Sequence, residues 1–227
     1  MTINELDLIF FLFLLTLLTA AYLITAFFQI KKYIKINKGS ETKDYLPLSY
    51  GIAFLFMGIG RVILATFDVI TEFNSANFNE SNFWIWKLGS SVQLFGVGVW
   101  FLLMEKRVLK GKDKLGLLFF YIAFIAIGMI LSDIIIVTTF VIIGMVFAMY
   151  IPIAYVYIAA KSDGAVRKKA LFMLFGFIFV IFGALLTSEL IIVPLTEATG
   201  LLAIHVHHIA FLIIILGVIF FFLGTKN

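Results

Sequence analysis

The positive charges of this chain are confined to a few short segments, and this distribution predicts its topology. Of the 17 lysines and arginines, all but Arg61 and Lys87 lie in residues 31–43, 106–114 and 161–169 or at position 226. The segments between these clusters are long and apolar. Lysine and arginine that flank membrane spans stay on the cytoplasmic side. The pattern therefore predicts a membrane protein with its N-terminus outside and its C-terminus in the cytoplasm.

Seven apolar segments have about the length that a membrane-spanning helix needs. A helix crosses the hydrocarbon core of a bilayer with about 20 apolar residues. Predicted spans 1 to 7 cover residues 8–30, 46–72, 83–104, 115–131, 134–160, 170–193 and 201–223. We expect Pro152 to kink span 5 and Pro194 to end span 6, because proline lacks the N–H that continues a helix. The sequence predicts an all-α, polytopic bundle of seven transmembrane helices in the cell membrane.

Composition limits what else the chain can contain. It is 63% hydrophobic and 13% charged, against about 45–50% and 25% in soluble domains. Because the spans and short connections use all 227 residues, we expect one domain (1–227) without an added catalytic or nucleic-acid-binding domain. The basic clusters lie beside spans, where they would attract anionic lipids instead of nucleic acid. The absence of cysteine excludes disulfides, thiolate metal sites and cysteine nucleophiles.

Two glycine motifs raise the question of an internal repeat. Tyr50-Gly51 is followed by Gly58, and Phe175-Gly176 by Gly183, with the same spacing. A repeat would divide the chain into residues 1–104, a connecting helix at 115–131, and residues 134–227. Parallel three-helix repeats of this kind occur in some solute transporters. Glycine is common in membrane helices, however, so the match also arises without a repeat.

Polar and ionisable side chains lie inside four of the spans, all in the predicted outer halves. A charged side chain at the bilayer centre costs about 2.5–3.5 kcal/mol on insertion scales, so such residues face partners, cavities or water. The inner halves of the spans are almost wholly apolar. This asymmetry predicts an outward-facing polar pocket with seven ligand-binding candidates. These candidates are Arg61, Asp68, Lys87, Gln93, Glu189, His205 and His208.

Arg61 is the candidate that most needs a partner, because its guanidinium stays protonated. Helical side chains lean toward the N-terminus of their own helix, which directs Arg61 away from Asp68. We therefore expect Gln93 to be the acceptor for Arg61 and to orient the ligand. Lys87 leans outward on span 3, so Lys87 and Asp68 are predicted to form the rim of the pocket.

Glu189, His205 and His208 are predicted to form a wall of the same pocket. His205 and His208 share a helix face because they are three residues apart, whereas His207 is expected to point away. Histidine changes charge near pH 6.5, so this wall would respond to external pH. A metal site made by His205, His208 and Glu189 is an alternative. We otherwise expect no cofactor.

Structural explanations compete with each of these assignments. Arg61 can belong to a purely structural ion pair. Lys87, Asp68 and Glu189 lie near the membrane surface and can extend to water. Gln93 can serve as a hydrogen bond between helices.

Several seven-span families can be tested against the sequence. Retinal proteins need a Schiff-base lysine in their last span, and residues 201–223 contain none. The end of span 3 departs from the cytoplasmic motif of G-protein-coupled receptors, and span 7 lacks their Asn-Pro pattern. Intramembrane zinc hydrolases place histidines on separate helices, whereas all three histidines here lie in span 7. These families are not indicated.

A looser likeness involves two stretches of the chain. Residues 46–51, continuing through Gly60-Arg61 to Asp68, and residues 164–170 resemble uncharacterised seven-span membrane proteins of archaeal type. The bias toward Ile, Lys, Asn and Phe is also similar, and the likeness covers about a quarter of the chain. It implies a seven-span fold and brings no activity with it.

The sequence favours a non-enzymatic membrane protein whose outward-facing pocket binds or senses a small polar or anionic solute, with Arg61 as the cationic anchor. The alternative is a secondary transporter made of two three-helix halves. Alternating access needs a hydrated inward path, and the kink at Pro152 is the candidate opening. A metal-dependent intramembrane enzyme ranks third. A homo-oligomer or a subunit of a larger complex is left open.

Overall fold

The computed structural model describes residues 4–40, 43–73, 80–104, 116–131 and 134–226. Regular structure in these ranges is entirely helical. The helices are α1 Glu5–Asn37, α2 Leu46–Ile70, α3 Glu80–Met104, α4 Gly116–Ile130, α5 Ile134–Ala148, α6 Tyr150–Lys161, α7 Gly164–Leu186, α8 Glu189–Thr199 and α9 Ala203–Thr225. The predicted all-α fold is therefore confirmed.

Six helical segments of the described chain are long and apolar enough to cross a membrane, counting α5 and α6 as one. Large apolar side chains such as Ile24 and Phe27 are more than 60% exposed on the outer surface of the bundle, where a bilayer would cover them. α4 is a shorter apolar helix of 15 residues, or about 22 Å at 1.5 Å per residue. A multi-pass membrane protein is supported, while the seventh crossing and the orientation stay predictions.

Predicted span 5 is interrupted near its proline. α5 ends at Ala148 and α6 begins at Tyr150. Pro152 has no N–H to donate to the carbonyl of Ala148, four residues earlier, and its ring crowds that turn. The interruption at Met149 follows from this local chemistry.

Predicted span 6 is wrong at its C-terminal end. α7 ends at Leu186, and a separate helix, α8, begins at Glu189 and contains Pro194 in its interior. The hydroxyl of Thr187 donates to the carbonyl of Ala184 (2.9 Å), and that of Ser188 donates to Leu185 (2.7 Å). Such bonds let Ser and Thr compete with the helical pattern. The chain therefore leaves the helix before Pro194 is reached.

Helices that follow each other in the chain also pack side by side. α2 packs between α1 and α3, α4 between α3 and α5, and α7 between α6 and α9, while α9 packs against α1 and closes a ring. Glycines bring two pairs especially close. A Cβ on Gly60 would lie 2.7 Å from the carbonyl oxygen of Gly89 on α3, and a Cβ on Gly176 would lie 2.9 Å from that of Gly217 on α9. Small residues allow this approach of helix backbones.

The predicted repeat gains no support from the packing of its motif glycines. Gly51 faces Ile30 of α1, the first helix of its half, whereas Gly176 faces Phe221 of α9, the last helix of the other half. Equivalent positions would face equivalent helices. The division into residues 1–104, 115–131 and 134–227 stays a prediction.

The middle of the ring is filled by aromatic side chains around Trp100, which we call the aromatic layer. Trp100 is fully buried, and the ring centroids around it lie 4.7–6.5 Å away. The neighbours in the aromatic layer are Tyr50, Phe54, Tyr155, Phe177 and Phe221. These contacts join α2, α3, α6, α7 and α9, so the layer divides the interior of the bundle into two ends.

Candidate functional site

A cavity of about 190 Å³ lies inside the ring, on the side of the aromatic layer where α1 and α9 begin. We call it the Arg61 cavity. Side chains of α1, α2, α3, α5, α7 and α9 line it, together with residues that follow α7. Most of its wall is apolar. Its polar side chains include Arg61, Asp68, Ser90, Gln93, Thr187 and Ser188.

Arg61 is buried in this cavity with only 4% of its surface exposed. Its Nη2 lies 3.5 Å from Oδ2 of Asp68, and its Nη1 donates to the hydroxyl of Thr187 at 3.5 Å. Its Cζ lies 4.5 Å from the centre of the Phe211 ring, a cation–π contact. Within the described chain, Nε and Nη2 of Arg61 have no aligned hydrogen-bond acceptor. The guanidinium thus points into the bundle with donors left to offer.

The predicted partner of Arg61 is wrong. Gln93 donates its Nε2 to the carbonyl of Met57 (3.4 Å), and Asp68 takes the ion-pair position. Arg61 and Asp68 are seven residues apart, which places them on the same face of α2 two turns apart. The Arg61 side chain is long enough to reach Asp68, although its Cα–Cβ bond points toward the N-terminus of α2. Gln93 still lines the cavity.

The histidine that joins this cluster is His207, which the sequence analysis assigned elsewhere. Its Nε2 lies 3.3 Å from Oδ2 of Asp68, and its Nδ1 lies 2.9 Å from the carbonyl oxygen of Ala203. A carbonyl can only accept, so Nδ1 carries a proton. Arg61, Asp68 and His207 thus form one cluster, in which the guanidinium and the imidazole both lie beside Oδ2 of Asp68.

Helix register could have identified His207. Residues Ile204, His207, Phe211 and Ile214 follow each other at spacings of three and four and are all buried. This spacing marks the inward face of a helix. The spacing of the histidines alone does not identify His207, because it leaves the inward face of the last span undefined.

His205 and His208 share a face, as expected, but that face packs against α1. His205 Nε2 lies 3.4 Å from Oδ1 of Asp7, and His208 Nε2 lies 3.2 Å from the Asp7 carbonyl oxygen. Neither residue lines the Arg61 cavity. Their predicted place in the pocket wall is therefore not supported.

Of the two remaining candidates, Lys87 does not join Arg61 in the described structure. Lys87 donates to the carbonyl of Leu131, beyond the end of α4, and its Nζ lies 4.9 Å from the Phe83 ring centre. It therefore links α3 to α4 instead of forming a rim with Asp68. Glu189 begins α8, and its side chain lies outside the described part. In that part, no group of three or more His, Cys, Asp or Glu is placed to hold a metal.

A second cavity, of about 260 Å³, lies beyond the aromatic layer at the basic end, where α1 and α9 finish and α7 begins. We call it the Lys32 cavity. Lys32 Nζ donates to the carbonyl of Thr225 (2.5 Å), Gln29 Nε2 donates to its hydroxyl (2.5 Å), and the hydroxyls of Tyr50 and Tyr155 are 2.8 Å apart. Asp44 and Lys169 also line it. Gln29, Tyr50 and Tyr155 lie within predicted spans. The other polar groups of this cavity, which are Lys32, Asp44, Lys169 and Thr225, lie outside the predicted spans.

Comparison with known proteins gives this chain no relative. No protein-family model, curated protein or solved structure matches it. Function must therefore be argued from the two cavities themselves.

Proposed function

We propose that this protein is a non-enzymatic, multi-pass membrane protein that binds or senses a small polar or anionic solute in the Arg61 cavity. The observation that carries the proposal is the buried guanidinium with two nitrogens, Nε and Nη2, that lack an aligned acceptor in the described chain. A buried donor left without a partner costs about 1–3 kcal/mol, and more when it is charged. A solute with carboxylate or other oxyanion oxygens would remove that cost.

The rest of the Arg61 cavity suits a small solute. Asp68 balances the charge of Arg61, so the cavity does not hold an isolated cation. Gln93, Ser90 and Thr187 add amide and hydroxyl groups along an otherwise apolar wall. Binding sites of this type combine apolar walls with a few placed polar groups that fix orientation.

The predicted orientation belongs to this proposal. With the basic clusters in the cytoplasm, the Arg61 cavity faces the exterior of the cell membrane, and the clusters lie against anionic lipid. Assembly into a homo-oligomer or a larger complex is compatible with it.

Labelling of single cysteines tests whether water reaches the cavity. The native chain contains no cysteine, so each introduced thiol reports alone. Ser90 lines the cavity, whereas Leu88, two residues earlier on α3, is 46% exposed on the outer surface. A charged maleimide added from the N-terminal side should modify Ser90→Cys and leave the lipid-facing Leu88→Cys unmodified. Complete protection of Ser90→Cys would indicate a dry, closed interior and contradict the proposal.

A thermal-shift screen tests for a ligand. Acetate, inorganic phosphate and glycine should be compared for stabilisation of the wild-type protein, Gln93→Leu and Arg61→Lys. We expect at least one of these solutes to stabilise the wild type, with a weaker effect in both variants. The control is Phe95→Leu, which changes an exposed residue of α3 outside the cavity. No stabilisation in the wild type would count against this class of ligand.

The second candidate function is secondary transport of a small solute or ion, and the Lys32 cavity favours it. Two cavities on opposite sides of the aromatic layer correspond to the two access routes that alternating access requires. The Tyr50–Tyr155 hydrogen bond and Trp100 separate the two routes. Uptake of a stabilising solute into proteoliposomes under a proton or sodium gradient would favour transport. Saturable binding without uptake would favour the sensor.

A further inference from the structure

The interruption at Met149 has a consequence for the wall of the ring. α6 packs against α7, whereas α5, on the other side of the break, packs mainly against α4. A helix that packed against α7 along both α5 and α6 would close this part of the ring. Because α5 packs little against α7, a space is left between them.

That space is a groove of about 310 Å³ between α3, α5 and α7, which we call the lateral groove. Its outer edge consists of apolar side chains on the surface of the bundle. These side chains are Ile142, Val146, Met149 and Leu185, each at least 36% exposed. Along α5 the groove extends from Thr138 to Met149, or about 16 Å. In a bilayer, this opening faces acyl chains.

The lateral groove and the Arg61 cavity adjoin each other. Eight residues line both: Trp86, Ser90, Gln93, Leu94, Met145, Ile181, Ala184 and Ser188. A molecule in the cavity could therefore extend through this shared wall into the groove. The two parts differ in chemistry. The cavity contains the charged side chains of Arg61 and Asp68, whereas the described lining of the groove contains none, and its polar side chains include Thr138 and the shared Ser90, Gln93 and Ser188.

We propose that the ligand of the Arg61 cavity is an amphiphilic carboxylate that enters from the bilayer through the lateral groove. Its head accepts from Nε and Nη2 of Arg61, and its aliphatic chain occupies the groove. This inference rests on the proposed function and specifies the class of ligand. The unsatisfied donors of Arg61 require a head that accepts hydrogen bonds, and the apolar wall of the groove requires an aliphatic tail.

The length of the chain should set the affinity. Each buried methylene improves transfer from water by an amount that raises affinity about fourfold. Octanoate should therefore stabilise the purified protein in nanodiscs at concentrations far below those needed for acetate. Octylammonium, which has the same chain and the opposite charge, should not stabilise it, because an ammonium head cannot accept a hydrogen bond from Nε and Nη2 of Arg61.

Filling the lateral groove separates head from tail. Leu185 lines the groove but not the Arg61 cavity, so Leu185→Trp should remove most of the advantage of octanoate over acetate and leave the response to acetate within about twofold. The control is Ile178→Trp, also on α7 and 48% exposed but outside both linings. It should respond to octanoate as the wild type does.

The results separate this inference from the proposed function. Equal potency of acetate and octanoate would contradict the inference that the ligand is amphiphilic, and it would leave the proposed binding of small anions unaffected. Equal stabilisation by octylammonium and octanoate would mean a general chain effect and would also overturn it. Failure of both carboxylates in the wild type would contradict the proposed function as well.

Discussion

The two cavities at opposite ends of the bundle hold their cations in different ways. Arg61 is almost fully buried, and its Nη2 and the Nε2 of His207 both lie close to Oδ2 of Asp68. Lys32 and Lys169 are only half-buried at the rim of the Lys32 cavity. A half-buried lysine can reach water when its protein partners fail. Arg61 has no such outlet, so its surroundings must meet its electrostatic and hydrogen-bonding needs.

This difference indicates which of the two cavities discriminates between ligands. Removing one partner of a buried ion pair leaves an uncompensated charge, whereas exposed pairs contribute little. The Arg61 cavity should therefore select its ligand by geometry. The Lys32 cavity should bind anions in general, and its affinity for them should fall as the salt concentration rises.

The largest expected effect comes from removing the buried cation. Arg61→Met leaves the Asp68 carboxyl without its partner, and we expect a loss of roughly 3–5 kcal/mol in stability. The matched change at the other end, Lys169→Met, should cost less than about 1 kcal/mol. Thermal unfolding of the purified variants measures both. Similar losses for the two variants would remove the distinction between the cavities.

A double variant sharpens this result. Asp68→Asn in the Arg61→Met background removes the orphaned carboxylate and should recover a large part of the stability. If Asp68→Asn adds its own loss to that of Arg61→Met instead, the two residues do not act as a pair.

The aromatic layer keeps the two cavities apart, and Trp100 is its centre. Trp100→Ala should cost about 3–5 kcal/mol, as expected for a large aromatic residue removed from a packed interior. It should also let a charged thiol reagent from the basic end reach Met57→Cys in the Arg61 cavity. Trp84→Ala, a change at a residue that is 60% exposed, is the control. No increase in labelling would mean that the barrier lies elsewhere.

The shape of the Arg61 cavity depends on the close contact between α2 and α3. A Cβ at Gly60 would lie 2.5 Å from Cγ of Gln93 and 2.8 Å from its backbone nitrogen. Gly60→Val should therefore push the helices apart and cost about 1–3 kcal/mol. Gly116→Ala, where a Cβ meets nothing within 4 Å, should be close to neutral. A tolerated Gly60→Val would show that the helices are less closely packed.

The smallest effects distinguish the histidines. His207→Gln removes an imidazole that is 4% exposed beside Asp68, and we expect a loss of about 1 kcal/mol or more. His205→Gln removes a partly exposed contact with Asp7 and should cost at most about 0.5 kcal/mol. Chemical unfolding monitored by tryptophan fluorescence compares them. A larger loss for His205→Gln than for His207→Gln would mean that His205, and not His207, contributes more to stability.

Sequence reasoning identified what Arg61 needs but not the residue that supplies it. The need of Arg61 for an interior partner follows from the cost of burying its charge and holds without any knowledge of the neighbouring helices. The choice of Gln93 gave too much weight to the lean of the side chain. Asp68, seven residues along α2 and on the same face, takes that position.

Sequence reasoning failed where the rotation of one helix against another decided the outcome. Lys87 has a suitable depth on α3 but faces α4, and depth along a helix does not specify angle. The histidines had to be oriented by the inward face of α9, which selected His207. The end of α7 depended on the hydroxyls of Thr187 and Ser188, which act before Pro194. Side-chain bonds of this kind are weak signals in a long apolar segment.

An experimental density map of the protein in nanodiscs, at a resolution that reveals ordered solutes, is the most direct test of the Arg61 cavity. We expect the guanidinium to point into the ring beside Asp68, with a bound acceptor group within hydrogen-bonding distance of Nε or Nη2. A guanidinium directed at lipid acyl chains, or separated from Asp68 and His207 by packed hydrocarbon, would contradict the account.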